Sequence, residues 1–140
     1  MSDMSDLPSV LTNDPEIDAM LRDCINTLFT KGEEYTIGSQ DRLHNFRTVG
    51  QVVGEPMEKV WFTYFYKHYS AIVSYIKNGC QVKSNESIQG RIMDCIVYLL
   101  LFNKMTLDIE RERERGRNNL FVDLAIEVFN DIDPKGKAGE

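Results

Sequence analysis

SNESIQGRIMDCIVYLLLFN, residues 84–103, is long and strongly apolar, and charge interrupts its apolar run at one point only, Arg91 and Asp94. A helix starting near Glu86 sets Ile88, Ile92, Cys95, Ile96, Leu99 and Leu100 on a broad stripe. Met93, Val97, Leu101 and Phe102 leave little of the opposite side polar. The pattern predicts a central helix packed by neighbours on most of its surface. A carboxylate near the middle of a buried helix costs several kcal/mol unless a cation, metal or donor network accompanies it. Asp94 therefore needs a partner, and Arg91, one turn earlier, is the nearest candidate. A structural ion pair and a ligand site inside a helical bundle both meet that need.

Outward from this stretch the chain reads as helices. Residues 1–13, rich in Ser, Asp and Pro, form a flexible or loosely docked arm. Asn13 or Asp14 can cap a first helix, with Pro15 in its first turn and Glu16 facing the positive end of the dipole. Ile17, Met20, Leu21, Cys24, Ile25, Leu28 and Phe29 repeat at helical spacing to about Lys31, and Gly32 is the expected stop. Residues 31–46, KGEEYTIGSQDRLHNF, make a loop leading into a second helix from about Asp41, with Leu43, Phe46, Val49, Val52 and Val53 as its apolar edge. A third helix, about 56–77, carries Val60, Trp61, Tyr64, Phe65, His68 and Ile72 and stops at Asn78-Gly79. The central helix, 86–109, continues into ERERER, residues 110–115, a solvated end. Gly116 breaks the pattern, a last helix holds Leu120, Phe121, Leu124, Val128, Phe129 and Ile132, and Asp133-Pro134 closes it. The expectation is an all-α, single-domain bundle of about five helices over residues 14–133, with a mobile tail over 134–140.

At 140 residues the chain suits one domain with a modest core. A net charge of −6 and a pI near 5.0 disfavour a general nucleic-acid binder, because no region concentrates the Lys and Arg that counterion release requires. Cys24, Cys80 and Cys95 lack metal or redox spacing and read as thiols in a reducing compartment. No apolar run is long enough to span a bilayer, and the N-terminus has no signal-peptide pattern, so a cytoplasmic protein is expected. There is no P-loop, Rossmann glycine pattern, HExxH or GxSxG.

The order KGEEY, DRLHNF, VWFTYFYKHYSAI and GRIMDCIVYLLL resembles small phage-encoded proteins related to the MazG-like all-α nucleoside triphosphate pyrophosphatases and the nucleotide modification-associated helical domains. Those proteins carry a Lys-x-x-acidic-Tyr loop, an Asn-Phe pair, a Lys on the next helix and an Asp-x-x-x-Tyr pattern on the one after. The matching residues are Lys31, Glu34 and Tyr35, then Asn45 and Phe46, then Lys67, then Asp94 and Tyr98. The resemblance covers about residues 15–105 and implies a MazG-like core, a nucleotide ligand, the host cytoplasm as location and, often, a dimer.

The chain also departs from that pattern. MazG-type enzymes place Glu-x-x-Glu and Glu-x-x-Asp on facing helices to hold magnesium against the nucleotide's phosphates. Here the second motif reads Arg91-x-x-Asp94, and the facing helix offers Lys67-His68 where acids belong. Glu55-x-x-Glu58 has the spacing but sits at a helix start, where acids stabilise the dipole. No metal ligand set is assigned, and magnesium enters only if the protein hydrolyses its ligand.

Lys31, Arg42, Lys67, His68 and Arg91 can instead hold phosphate directly, while Tyr35, Phe46 or Tyr98 packs a base. His68 and Phe46 equally suit a packed core. Lys67 and Asp94 explain one another as a buried base and acid from different helices, and they are the catalytic candidates if the protein is an enzyme. The reading is a helical protein that binds a nucleotide or related phosphate ligand, with hydrolysis left open, and that forms a homo-oligomer. The alternative is a non-catalytic interaction protein that inhibits or sequesters a host protein.

Overall fold

Asp14 begins the first helix, α1, Pro15–Thr36. Its Oδ1 accepts the N–H groups of Glu16 at 3.0 Å and Ile17 at 3.2 Å, so Asp14 rather than Asn13 is the cap. The structure, a computed structural model, describes residues 7–36 and 41–132, without the side chains of 32–36. Asp18, only 7% exposed, accepts the Leu11 N–H at 3.0 Å, the Thr12 N–H at 2.8 Å and the Thr12 hydroxyl at 2.6 Å. These bonds, the hydroxyl's first, hold the Asp18 carboxyl below the ordinary carboxylate range. Together with Arg22, which donates to the Pro8 carbonyl, they tie the chain before α1 to the helix.

Gly32 does not stop α1, which continues to Thr36. One glycine costs a helix only about 1 kcal/mol, and Lys31, Glu33 and Glu34 around it are good helix formers. The expected loop is correspondingly shorter. Asp41 then turns the chain: its Oδ1 accepts the Leu43 N–H at 3.0 Å and its carbonyl the His44 N–H at 3.1 Å. The second helix, α2, is His44–Val53. Leu43, Phe46 and Gly50 form its buried stripe. Val52 and Val53 were expected on that edge and are exposed, because Val52 falls opposite the stripe at 100° per residue and Val53 lies on its flank in the last turn.

The corner after α2 depends on two glycines. Gly54 takes φ 72, and the Glu55 N–H reaches back to the Gly50 carbonyl at 2.9 Å. A Cβ at Gly50 would stand 2.5 Å from the Glu55 carbonyl oxygen, so only glycine fits. The third helix, α3, is Met57–Lys77, with Glu55 paired to Lys59 at 3.0 Å and Glu58 in its first turn. It ends as expected at Asn78 and Gly79, the latter at φ 68.

The fourth helix, α4, runs without interruption from Ile88 to Ile132. The expected break at Gly116 is absent, and the described residues form four helices, not five, with no strand among them. Gly116 has open space around it and charged helix formers on its N-terminal side, so its entropic cost does not end the helix. The chain divides into two compact units, Met1–Asn103 and Lys104–Glu140, and α4 contributes to both. In the first unit α4 is less enclosed than expected. Cys95 and Val97 are buried, yet Leu99 and Leu100 are each 49% exposed. Its contacts include Thr27 of α1 to Met93 at 3.3 Å and Trp61 of α3 to the Tyr98 carbonyl at 2.7 Å. In the second unit Leu120, Phe121, Leu124, Val128, Phe129 and Ile132 are all exposed.

Trp61 sets the register of α3 on α4. Its indole N–H donates to the Tyr98 carbonyl at 2.7 Å, and its ring stacks on Phe65 at 4.9 Å and Phe102 at 4.2 Å. No helix among the described residues is long and apolar enough to cross a membrane. Gly50→Ala is expected to destabilise the protein by about 1–3 kcal/mol, because the new methyl meets backbone that cannot step aside. Gly116→Ala is expected to stabilise by about 0.5–1 kcal/mol. Urea unfolding of the two variants, compared at constant m, checks both signs.

Candidate functional site

Antiparallel helices in register carry a contact made at one level to the next level one or two turns away. With Trp61 at Tyr98 and Phe102, two turns along α3 bring His68 to α4 near Asp94 and Arg91. His68 Nδ1 lies 3.3 Å from Asp94 Oδ2 and 3.3 Å from Arg91 Nη1. These two neighbours make opposite demands. An Nδ1–H donates to the carboxylate, whereas a bare Nδ1 accepts from the guanidinium. Arg91 is also held by an ion pair to Glu86. His68 stacks on Tyr98 at 5.3 Å.

This group opens onto a cavity of about 490 Å³ in the first unit, within the roughly 300–1,000 Å³ typical of small-molecule sites. Lys31 from α1, Arg42 from the turn before α2, Asn45 and Phe46 from α2, Lys67 and His68 from α3, and Asp94 and Tyr98 from α4 all line it. Arg42 is anchored by donating Nη1 to the Leu28 carbonyl at 2.9 Å, which carries its guanidinium across from the α2 turn to α1. Among the described residues the charged lining is three cations and one carboxylate, beside a histidine.

Eight of the eleven residues singled out in the sequence therefore share one cavity. Arg91 lines a different depression with Glu86 and Lys83, and among the described residues it touches the site through His68. The side chains of Glu34 and Tyr35 lie outside the described residues. The expected buried Lys67–Asp94 pair is not what forms: Lys67 is exposed, and Asp94 is paired with His68. A lysine's long, strongly hydrated stem reaches water more cheaply than it enters a cavity wall, while a flat imidazole packs there on Tyr98.

Phe46 is buried beneath the cavity, edge-on to Tyr64 at 6.2 Å and Tyr98 at 6.3 Å, so it supports the rings above it and is no open platform. Tyr64, 45% exposed and stacked with Tyr98 at 6.4 Å, is the ring on offer, and sequence reasoning missed it. The signal was its position one turn before His68, on the same helix face.

Burial pushes the His68 pKa down from its usual value; Asp94 raises it in part, and Arg91 and Lys67 lower it further. Burial likewise raises the Cys24 and Cys95 thiols, which are buried as their apolar-face positions implied. Among the described residues no group of three or more His, Cys, Asp or Glu side chains is placed to hold a metal ion. No protein-family model, curated protein or solved structure matches the chain.

His68 is expected to titrate below about 6.5 in the folded protein. The unfolded chain then binds this proton first, so the corresponding stability is present above about pH 6.5 and is lost as pH falls through the lowered folded value. Asp94→Asn removes the group that raises the pKa and is expected to move the titration lower still. Proton NMR of the His68 ring across pH 4–8 reads both effects.

Proposed function

We propose that this is a phage-type, MazG-like helical protein of the cytoplasm whose cavity binds a nucleotide or a related phosphate-bearing small molecule. One observation carries the reading: Lys31, Arg42 and Lys67, from three separate elements, line the same cavity as Tyr64 and Tyr98. Cations grouped on one side repel one another unless an anion joins them, and aromatic rings beside a phosphate site offer a face to a base. Asn45 supplies donors and an acceptor for a base or ribose edge. The motif resemblance and the all-helical framework support the same reading.

A second observation favours assembly. Leu120, Phe121, Leu124, Val128, Phe129 and Ile132 are exposed on α4 in the second unit, and exposed apolar residues grouped on one helix mark interaction surfaces. The partner we propose is a second copy of the chain. The neighbouring ERERER run carries equal numbers of acids and bases, so a second copy aligned against it meets no net like charge. A host protein seated on this face is the competing outcome.

Inorganic pyrophosphate and a panel of nucleoside mono-, di- and triphosphates, tested by thermal shift with and without magnesium, address the first proposal. A ligand at 100 times its Kd is expected to stabilise by about 2.7 kcal/mol, and Lys67→Met and Arg42→Met to reduce that gain. No shift with any of them overturns the reading. Light scattering addresses the second. The chain is expected to run as an oligomer at micromolar concentration and Phe121→Glu with Phe129→Glu as a monomer, whereas a monomeric parent removes the self-association proposal.

A further inference from the structure

A histidine whose one ring nitrogen faces a carboxylate, and whose other nitrogen is free at a cavity, has the arrangement of a general base. His68 meets this description. Its Nδ1 is 3.3 Å from Asp94 Oδ2, its ring is fixed by stacking on Tyr98, and Nε2 has no partner among the described residues. The side chain is 12% exposed, and the residue lines the cavity. Arg91 Nη1 lies equally near Nδ1 while its Nη2 pairs with Glu86, and the tautomer assigned is the one whose Nδ1–H donates to Asp94. In that tautomer Nε2 carries the lone pair.

Magnesium fits this lining poorly. It takes near-octahedral oxygen ligands, one or two of them carboxylates. Asp94, the carboxylate of the described lining, is engaged by His68, and Lys31, Arg42 and Lys67 oppose a dication beside them. The same three cations suit the negative charge that builds up on phosphate oxygens during displacement at phosphorus.

We propose that His68 is the catalytic base of a metal-free hydrolysis of a nucleoside triphosphate's phosphoanhydride bond, with Asp94 as its positioning residue. The inference rests on the phosphate-pocket reading above. His68 Nε2 takes one proton from a water molecule as the water oxygen bonds to phosphorus. The bridging P–O bond breaks, and its electron pair leaves on the departing phosphate. The imidazolium returns the proton to that phosphate or to solvent. The net reaction consumes one water and one anhydride, gives two phosphate products and needs no further reactant. Asp94 holds the tautomer and steadies the imidazolium, while Lys31, Arg42 and Lys67 balance the phosphate charge.

The test uses the full chain with nucleoside triphosphates in excess EDTA, product release being followed by chromatography and binding by calorimetry. Turnover in EDTA is expected, with an acid limb whose midpoint is the lowered His68 pKa. His68→Asn is expected to lower kcat about 10²–10⁴-fold with little change in Kd. Asp94→Asn is expected to lower the plateau and move the midpoint to lower pH, a shift that a merely structural role would not produce. This variant carries the test if His68→Asn does not fold. Binding without turnover, turnover that vanishes in EDTA, or full activity in His68→Asn overturns the inference and leaves the pocket reading standing. Absence of binding by any nucleotide overturns both.

Discussion

The hydrogen bond from the Trp61 indole to the Tyr98 carbonyl is the constraint on which the first unit's geometry depends. Two helices packed through rings alone can slide, since stacking is tolerant of small shifts. A buried indole N–H is not, because leaving it without an acceptor costs about 1–3 kcal/mol. Phe65 and Phe102 both stack on the same ring, and Trp61 is buried. With this one level fixed, the antiparallel register places His68 against Asp94 and Tyr98 without further adjustment. Asp94 thereby gains the partner that its place on an apolar helix demands.

The site is assembled against the protein's overall charge. The chain carries −6, yet the described lining of its cavity holds three cations and one carboxylate. Acidic surroundings repel free phosphates at long range, and that repulsion is screened beyond about 8 Å in physiological salt. Inside the cavity low-dielectric walls strengthen each cation's hold on an anion. The small, highly charged ligand proposed above, held closely, is compatible with this balance of charge. Arg42, tied to the Leu28 carbonyl, and Lys31, further along the same helix, keep α1 and the turn before α2 together at the cavity wall.

The core is small for the apolar content. Cys24, Leu43, Phe46, Trp61 and Cys95 are buried, while Phe62, Tyr66, Tyr69 and Ile76 on α3 and most large apolar side chains of α4 beyond residue 116 are not. Each helix of a bundle needs neighbours around it to enclose a broad apolar arc, and four helices offer too few faces for arcs this wide. The excess is concentrated on α3 and α4.

Local chemistry in the sequence determined which segments are helical and where several of them start and stop. Asp14-Pro15 opens α1, Asn78-Gly79 closes α3, and the three- and four-residue steps of Leu43, Phe46 and Gly50 mark what is buried. These features act within one helical turn, so they are legible residue by residue. Gly32 and Gly116 were misread because a glycine's cost of about 1 kcal/mol is a bias that flanking residues outweigh, not a stop. Motif spacing also brought six cavity residues to notice, and the distribution of cations added Arg42 and His68. Which of them touch was decided by tertiary structure alone. The sequence offered Asp94 two cationic partners, Arg91 and Lys67, and the structure pairs it with a third residue, His68. The choice of His68 follows from the Trp61 register, a contact between residues 37 positions apart, and from the preference of a lysine stem for water over a cavity wall.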